Sequence, residues 1–234
     1  MDKKKISFFT SADNISIPYF EYLPKNNIKS AIVLIYEIFG ATNHIHNFAK
    51  YLVSKNYLVY VPDIFDRVEK NVVLEYNQNS LEKGLYLKNK LGWDFPVMDI
   101  VALASMLKQK YKVTCFGFCY GGSIAWRASQ KSFLFDKAVC YYGSSIPDFL
   151  DKKINNPTIV HFGKLDKGIP KEKVLDVKKY SQKQKFKVTI HEYDNADHGF
   201  NCEDRKSYNK EASKSALKRS LKFIDENNDY KFIK

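Results

Sequence analysis

Residues 117–122 read Gly-Phe-Cys-Tyr-Gly-Gly, a cysteine with glycines two before it and two and three after it, directly behind an apolar run. Such a thiol is either a small core residue or a nucleophile. The G-x-C-x-G spacing between a strand and a helix is that of a nucleophile elbow, a turn so tight that glycines must remove the Cβ atoms that would collide. Core packing needs no such glycines, so Cys119 reads as a nucleophile pushed out over the end of a sheet. The N-terminus of a helix starting near residue 121 adds partial positive charge, which favours the thiolate. Cys115 and Cys140 have no such setting and read as buried structural cysteines.

A thiol nucleophile of this kind needs a base, and the base an orienting carboxylate, in the chain order nucleophile, acid, histidine. Three histidines follow Cys119. His161 and His191 fall inside predicted strands, where packing or surface roles are expected. His198 stands in a loop after the last strand with Gly199 beside it, and is the base candidate. Between nucleophile and base, Asp166 lies three residues past Gly163 at a strand end and is the candidate acid. Asp136, Asp148 and Asp151 do not directly follow a strand, and Asp194 and Asp197 are too close to His198 for that order. Glu37 ends another apolar strand, where a carboxylate is costly to bury without a partner. Within reach of the thiol it would hold or accept the sulfur proton. The backbone N–H groups of Ile38 and Tyr120 are where an oxyanion hole for acyl transfer would be built.

These positions require a frame that brings strand ends together. Short apolar runs at 31–36, 57–61, 112–117, 137–143, 157–163 and 187–193 alternate with periodic segments at about 44–55, 68–90, 95–109, 121–131, 170–184 and 205–227. The alternation predicts an α/β fold, a mostly parallel sheet covered by helices, preceded by an antiparallel edge hairpin. No linker, repeat or composition shift divides residues 1–234, so one domain is expected. In such a sheet the ligand site lies at the carboxyl ends of the strands.

Composition narrows the partners. The chain has 234 residues, 44% hydrophobic, with a net charge of +12. Its lysines are spread along the chain and often stand beside acidic residues, with no basic stripe interleaved with aromatics, so nucleic acid is not an expected partner. The positive field instead suits an anionic small molecule. No run approaches the roughly 18 apolar residues of a membrane helix. MDKKKISFFTSADN has too short an apolar stretch for a secretory signal, so a cytoplasmic location and free thiols are expected. Cys115 and Cys119 lack a second ligand pair, which argues against a metal.

Taken together the motifs resemble those of the dienelactone hydrolase family of α/β-hydrolases. They are GxCxGG (Gly117 to Gly122), E-I-F-G (Glu37 to Gly40), P-D-x-x-x-R (Pro62, Asp63, Arg67), G-x-x-D (Gly163 to Asp166) and H-x-F (His198 to Phe200), in the family's order. The resemblance implies an α/β-hydrolase fold and a monomeric ester- or lactone-opening hydrolase with a Cys119–His198–Asp166 triad and no metal or organic cofactor. It also implies that Glu37 helps ionise the thiol when substrate binds. The dienelactone-cleaving members hold the substrate carboxylate with two arginines. Here the position four after His198 is Cys202, Arg205 lies three further on, and residues 71–92 contain no arginine. Lys83, Lys88 and Lys90, with Tyr86 and Trp93, occupy that region, and a lysine does not reproduce a bidentate guanidinium. Two other readings compete: a cysteine-elbow enzyme of the glutamine-amidotransferase-like class, and a non-catalytic or redox-sensing protein on the same scaffold.

Overall fold

The computed structural model describes residues 5–25 and 27–226. The first four residues and the final eight, with the predicted helix end at 227, lie outside the described residues. The chain opens with strands β1 (Lys5–Thr10) and β2 (Ser16–Tyr22), an antiparallel hairpin. Next come β3 (Ser30–Ile35), helix α1 (Asn43–Ser54), β4 (Tyr57–Pro62), and helices α2 (Gln78–Leu91) and α3 (Asp94–Lys108). They are followed by β5 (Val113–Phe118), α4 (Tyr120–Lys131), β6 (Lys137–Tyr141) and β7 (Thr158–Gly163). Helix α5 (Lys171–Ser181), β8 (Val188–Tyr193) and α6 (Lys210–Asp225) complete the described chain.

The eight strands form one sheet in the order β1-β2-β4-β3-β5-β6-β7-β8, antiparallel at β1-β2 and β2-β4 and parallel from β4 to β8. Every residue of β3, β4, β5, β6 and β7 is buried, because helices cover both faces. On one face Phe116 and Phe118 pack on Phe48 of α1, and Tyr141 bonds Ser220 of α6. Helix α4 packs against β5 and β6, with α3 beside it. From β3 the chain crosses to β4 on one side and later enters β5 on the other. The sheet order therefore reverses at β3 and β5, and this opens a crevice between their carboxyl ends.

Three helix boundaries differ from expectation. The helix predicted from residue 68 starts at Gln78, because residues 68–77 are held as a loop against the turn after β3. Leu74 N–H donates to Phe39 O (2.9 Å), Gly40 pairs with Val73, and the Asn77 side chain caps α2 by accepting from Ser80 N–H (2.9 Å). The helix predicted from 205 starts at Lys210, where Asn209 caps Ala212 N–H (2.9 Å). The helix predicted to run to 184 ends at Ser181.

Candidate active site

The elbow follows β5. Cys119 has φ 53° and ψ −114°, a left-handed conformation that L-residues rarely adopt. It is held there by its own N–H, which donates to Tyr141 O (2.9 Å), and by Gly121 N–H, which donates to Tyr36 O (3.1 Å). A Cβ at Gly117 would lie 1.9 Å from Gly121 O, and one at Gly121 would lie 2.3 Å from Ile35 O, so both positions admit glycine alone. The P-D-x-x-x-R residues act behind the elbow. Tyr36 donates its hydroxyl to Asp63 (2.8 Å), and Arg67 forks onto the fully buried Asp99 (2.7 Å at both oxygens).

Across the sheet end, His198 Nε2 lies 3.1 Å from Cys119 Sγ and His198 Nδ1 lies 2.7 Å from Asp166 Oδ2. Asp166 is buried, and its other oxygen accepts Gly168 N–H at 2.8 Å. Burial disfavours the His198 imidazolium, but the charge of the neighbouring Cys119 sulfur and the hydrogen bond to Asp166 outweigh it. The net result holds His198 above its usual value. Tyr142, itself at φ 36°, lays its ring against the imidazole at 5.2 Å. Of the other acids near His198, Asp194 pairs with Lys164, and Asp197 accepts the backbone N–H of His198 (2.6 Å). His161 is fully buried, with Nδ1 on Tyr193 and Nε2 on Ser220, both at 2.9 Å.

Glu37 is 1% exposed at the end of β3. One of its oxygens accepts from Arg205 Nη1 at 3.1 Å, and the other has no hydrogen-bond partner among the described residues. Arg205 reaches Glu37 because residues 197–209 fold back through successive turns: Cys202 N–H to Gly199 O, Arg205 N–H to Cys202 O and Asn209 N–H to Phe200 O. The guanidinium lies against Gly199 and over the rings of Phe39 and Tyr76. Counting positions along the chain from His198 misses this, since linear spacing does not register the turns. The N–H groups of Cys119 and Gly121 are used by the elbow, whereas those of Ile38 and Tyr120 have no backbone acceptor among the described residues.

Cys119, His198, Asp166 and Arg205 line one pocket of about 410 Å³. Its apolar wall comes from Ile38, Leu81, Leu85 and Trp93, and Lys88 and Lys167 add positive charge. Of the three lysines singled out on α2, Lys88 lines the pocket and stacks over Trp93 at 5.1 Å. Lys83 and Lys90 instead lie over Tyr86. Among the described residues there is no cluster of three metal-ligating side chains, and no helix is long and apolar enough to cross a membrane.

A parallel sheet covered on both faces, with Cys119 at the turn after β5, Asp166 after β7 and His198 after β8 around one pocket, has the α/β-hydrolase fold. The model of the dienelactone hydrolase family matches residues 17–227, and the chain belongs to that family. It is a hydrolase. It is similar to the carboxymethylenebutenolidases of Pseudomonas putida and Pseudomonas knackmussii, at 27% identity over 201 residues covering 82% of this chain and 84% of theirs. In structure it is similar to a Klebsiella pneumoniae protein assigned as a dienelactone hydrolase, with TM-score 0.81 and 24% identity over 97% of this chain and all of that one. It also resembles a dienelactone hydrolase-like promiscuous phosphotriesterase from metagenomic libraries, with TM-score 0.75 and 16% identity over 94% and 97% of the two chains.

Proposed function

We propose that the protein hydrolyses a small carboxylic ester or lactone through an acyl-enzyme on Cys119. The observation that carries this reading is His198 bridging Cys119 Sγ and Asp166 at 3.1 and 2.7 Å. His198 takes the thiol proton, and the thiolate adds to the substrate carbonyl. The resulting oxyanion sits on the N–H groups of Ile38 and Tyr120. As the tetrahedral intermediate collapses, the C–O bond breaks and the imidazolium gives its proton to the departing alkoxide. Water then adds to the thioester with His198 as base, and the acid leaves as the thiol re-forms. Asp166 keeps the imidazole oriented throughout.

Glu37 assists ionisation of the thiol. A substrate anion that draws Arg205 to itself leaves the buried carboxylate without its counter-charge, and that carboxylate then favours removal of a nearby proton. The positive side chains of Arg205, Lys88 and Lys167 support an anionic substrate. The test is turnover of a small aryl ester by Cys119→Ala and His198→Ala. Both variants should keep the fold and lose turnover, and Cys119→Ser should accumulate an acyl adduct visible by mass. Unchanged rates in both alanine variants would sink the proposal.

A further inference from the structure

We infer that the Tyr120 phenol is a positioning group that sets the oxyanion hole by tying the elbow to helix α2. This rests on the hydrolase reading above. The elbow pattern leaves the residue after the nucleophile free in type, since its part in acyl transfer is played by its N–H. In this chain it is a tyrosine, 2% exposed, whose hydroxyl donates to Gly92 O at 2.5 Å. Its ring packs on Trp93 (5.1 Å) and lies nearly parallel to Phe65 (6.1 Å, 14°). Burial pushes the phenol above its ordinary range, so it remains a donor at any working pH.

Gly92 is the residue that ends α2, at φ 70° and ψ −152°, a backbone that glycine supplies without strain. The same helix touches the second oxyanion residue. A Cβ at Gly84 would lie 2.6 Å from Ile38 O and 3.1 Å from Ile38 Cβ, so α2 rests directly on the turn after β3. Helix α2 therefore contacts both residues whose N–H groups are assigned to the oxyanion: Ile38 through Gly84, and Tyr120 through Gly92. It also carries Leu81, Leu85 and Lys88 into the pocket. Oxyanion donors act over a narrow range, about 2.7–3.1 Å from the developing charge. A helix that contacts both residues fixes their separation, and the phenol is the bond that closes the arrangement.

Tyr120→Phe keeps the ring stack and removes the bond. Turnover of a short aryl ester should show kcat lowered about fivefold, the scale of one net hydrogen bond, with KM unchanged. The rate of Cys119 alkylation by iodoacetamide should not change, because displacement at a saturated carbon builds no oxyanion. Gly84→Ala presses α2 off Ile38 from the other contact and should repeat the split of Tyr120→Phe, which serves if that variant is poorly folded. A wild-type kcat in Tyr120→Phe overturns the inference. So does an equal fall in ester turnover and alkylation, which would place the effect on the thiol. Absence of ester turnover in the wild type overturns the hydrolase reading and this inference with it.

Discussion

Glu37 Oε1 and Arg205 Nη1 lie 3.1 Å apart although 168 positions separate them in the chain. No other ion pair is formed by this carboxylate among the described residues, and its second oxygen is buried without a hydrogen bond. Removing one member of a buried pair strands the other and costs roughly 3–5 kcal/mol. Arg205→Met should therefore lower unfolding free energy in urea by about 3 kcal/mol. Adding Glu37→Gln should restore most of the loss, a coupling that a double-mutant cycle measures. Independent, additive effects would show that the pair contributes nothing to folding.

His198 governs the pH behaviour. Burial works against its imidazolium, while the Cys119 sulfur charge and the Asp166 bond outweigh that and hold it above the ordinary histidine range. Once the thiol has given its proton to His198, the opposite charge on the sulfur holds that proton on the imidazole, and ester turnover should fall on the alkaline side as it is lost. Asp166→Asn removes one support, so the alkaline limb should move to lower pH as the rate drops by about a hundredfold or more. The stability sign follows from the same shift. A folded-state value above the unfolded one gives a contribution fully present below about pH 6.5 and lost as pH rises through the folded-state value. The melting temperature of the wild type should fall more steeply than that of Asp166→Asn over this alkaline range, and parallel curves would contradict the argument.

The buried network between the sheet and α6 predicts the opposite pattern. Ser220 Oγ bonds both Tyr141 (3.0 Å) and His161 (2.9 Å), all three buried. Ser220→Ala leaves the imidazole nitrogen and the phenol each short of a partner, at about 1–3 kcal/mol. The melting temperature should drop by about 2–12 °C. Ester kcat/KM at 25 °C should stay within about twofold of wild type, because none of the three lines the pocket.

Strands β3 to β7 were legible in the sequence because they are buried on both faces and read as apolar runs, whereas the half-buried edge strand β8 was legible from its alternation, and the strand ends pointed to Cys119, Asp166, His198 and Glu37. The start of α2 was not legible. Val68, Val72 and Tyr76 mimic helical spacing, but the backbone of this segment bonds the turn at Phe39 and Gly40. Arg205 was set aside on linear spacing, and the turns that return it to Glu37 depend on hydrogen bonds that no local pattern announces. The phenol of Tyr120 was equally silent. Its partner Gly92 is close to it in space, and the motif speaks for the backbone of residue 120 alone.

The left-handed backbone at Cys119 has a further consequence. A non-glycine residue in such a conformation carries strain of roughly 1–3 kcal/mol, and alanine normally stabilises a chain relative to glycine. At this position the order should invert, with Cys119→Gly about 1 kcal/mol more stable than Cys119→Ala in urea unfolding. The elbow would then be a place where folding and chemistry pull toward different residues, and a chain selected for stability alone would be expected to drift there toward glycine and lose its thiol.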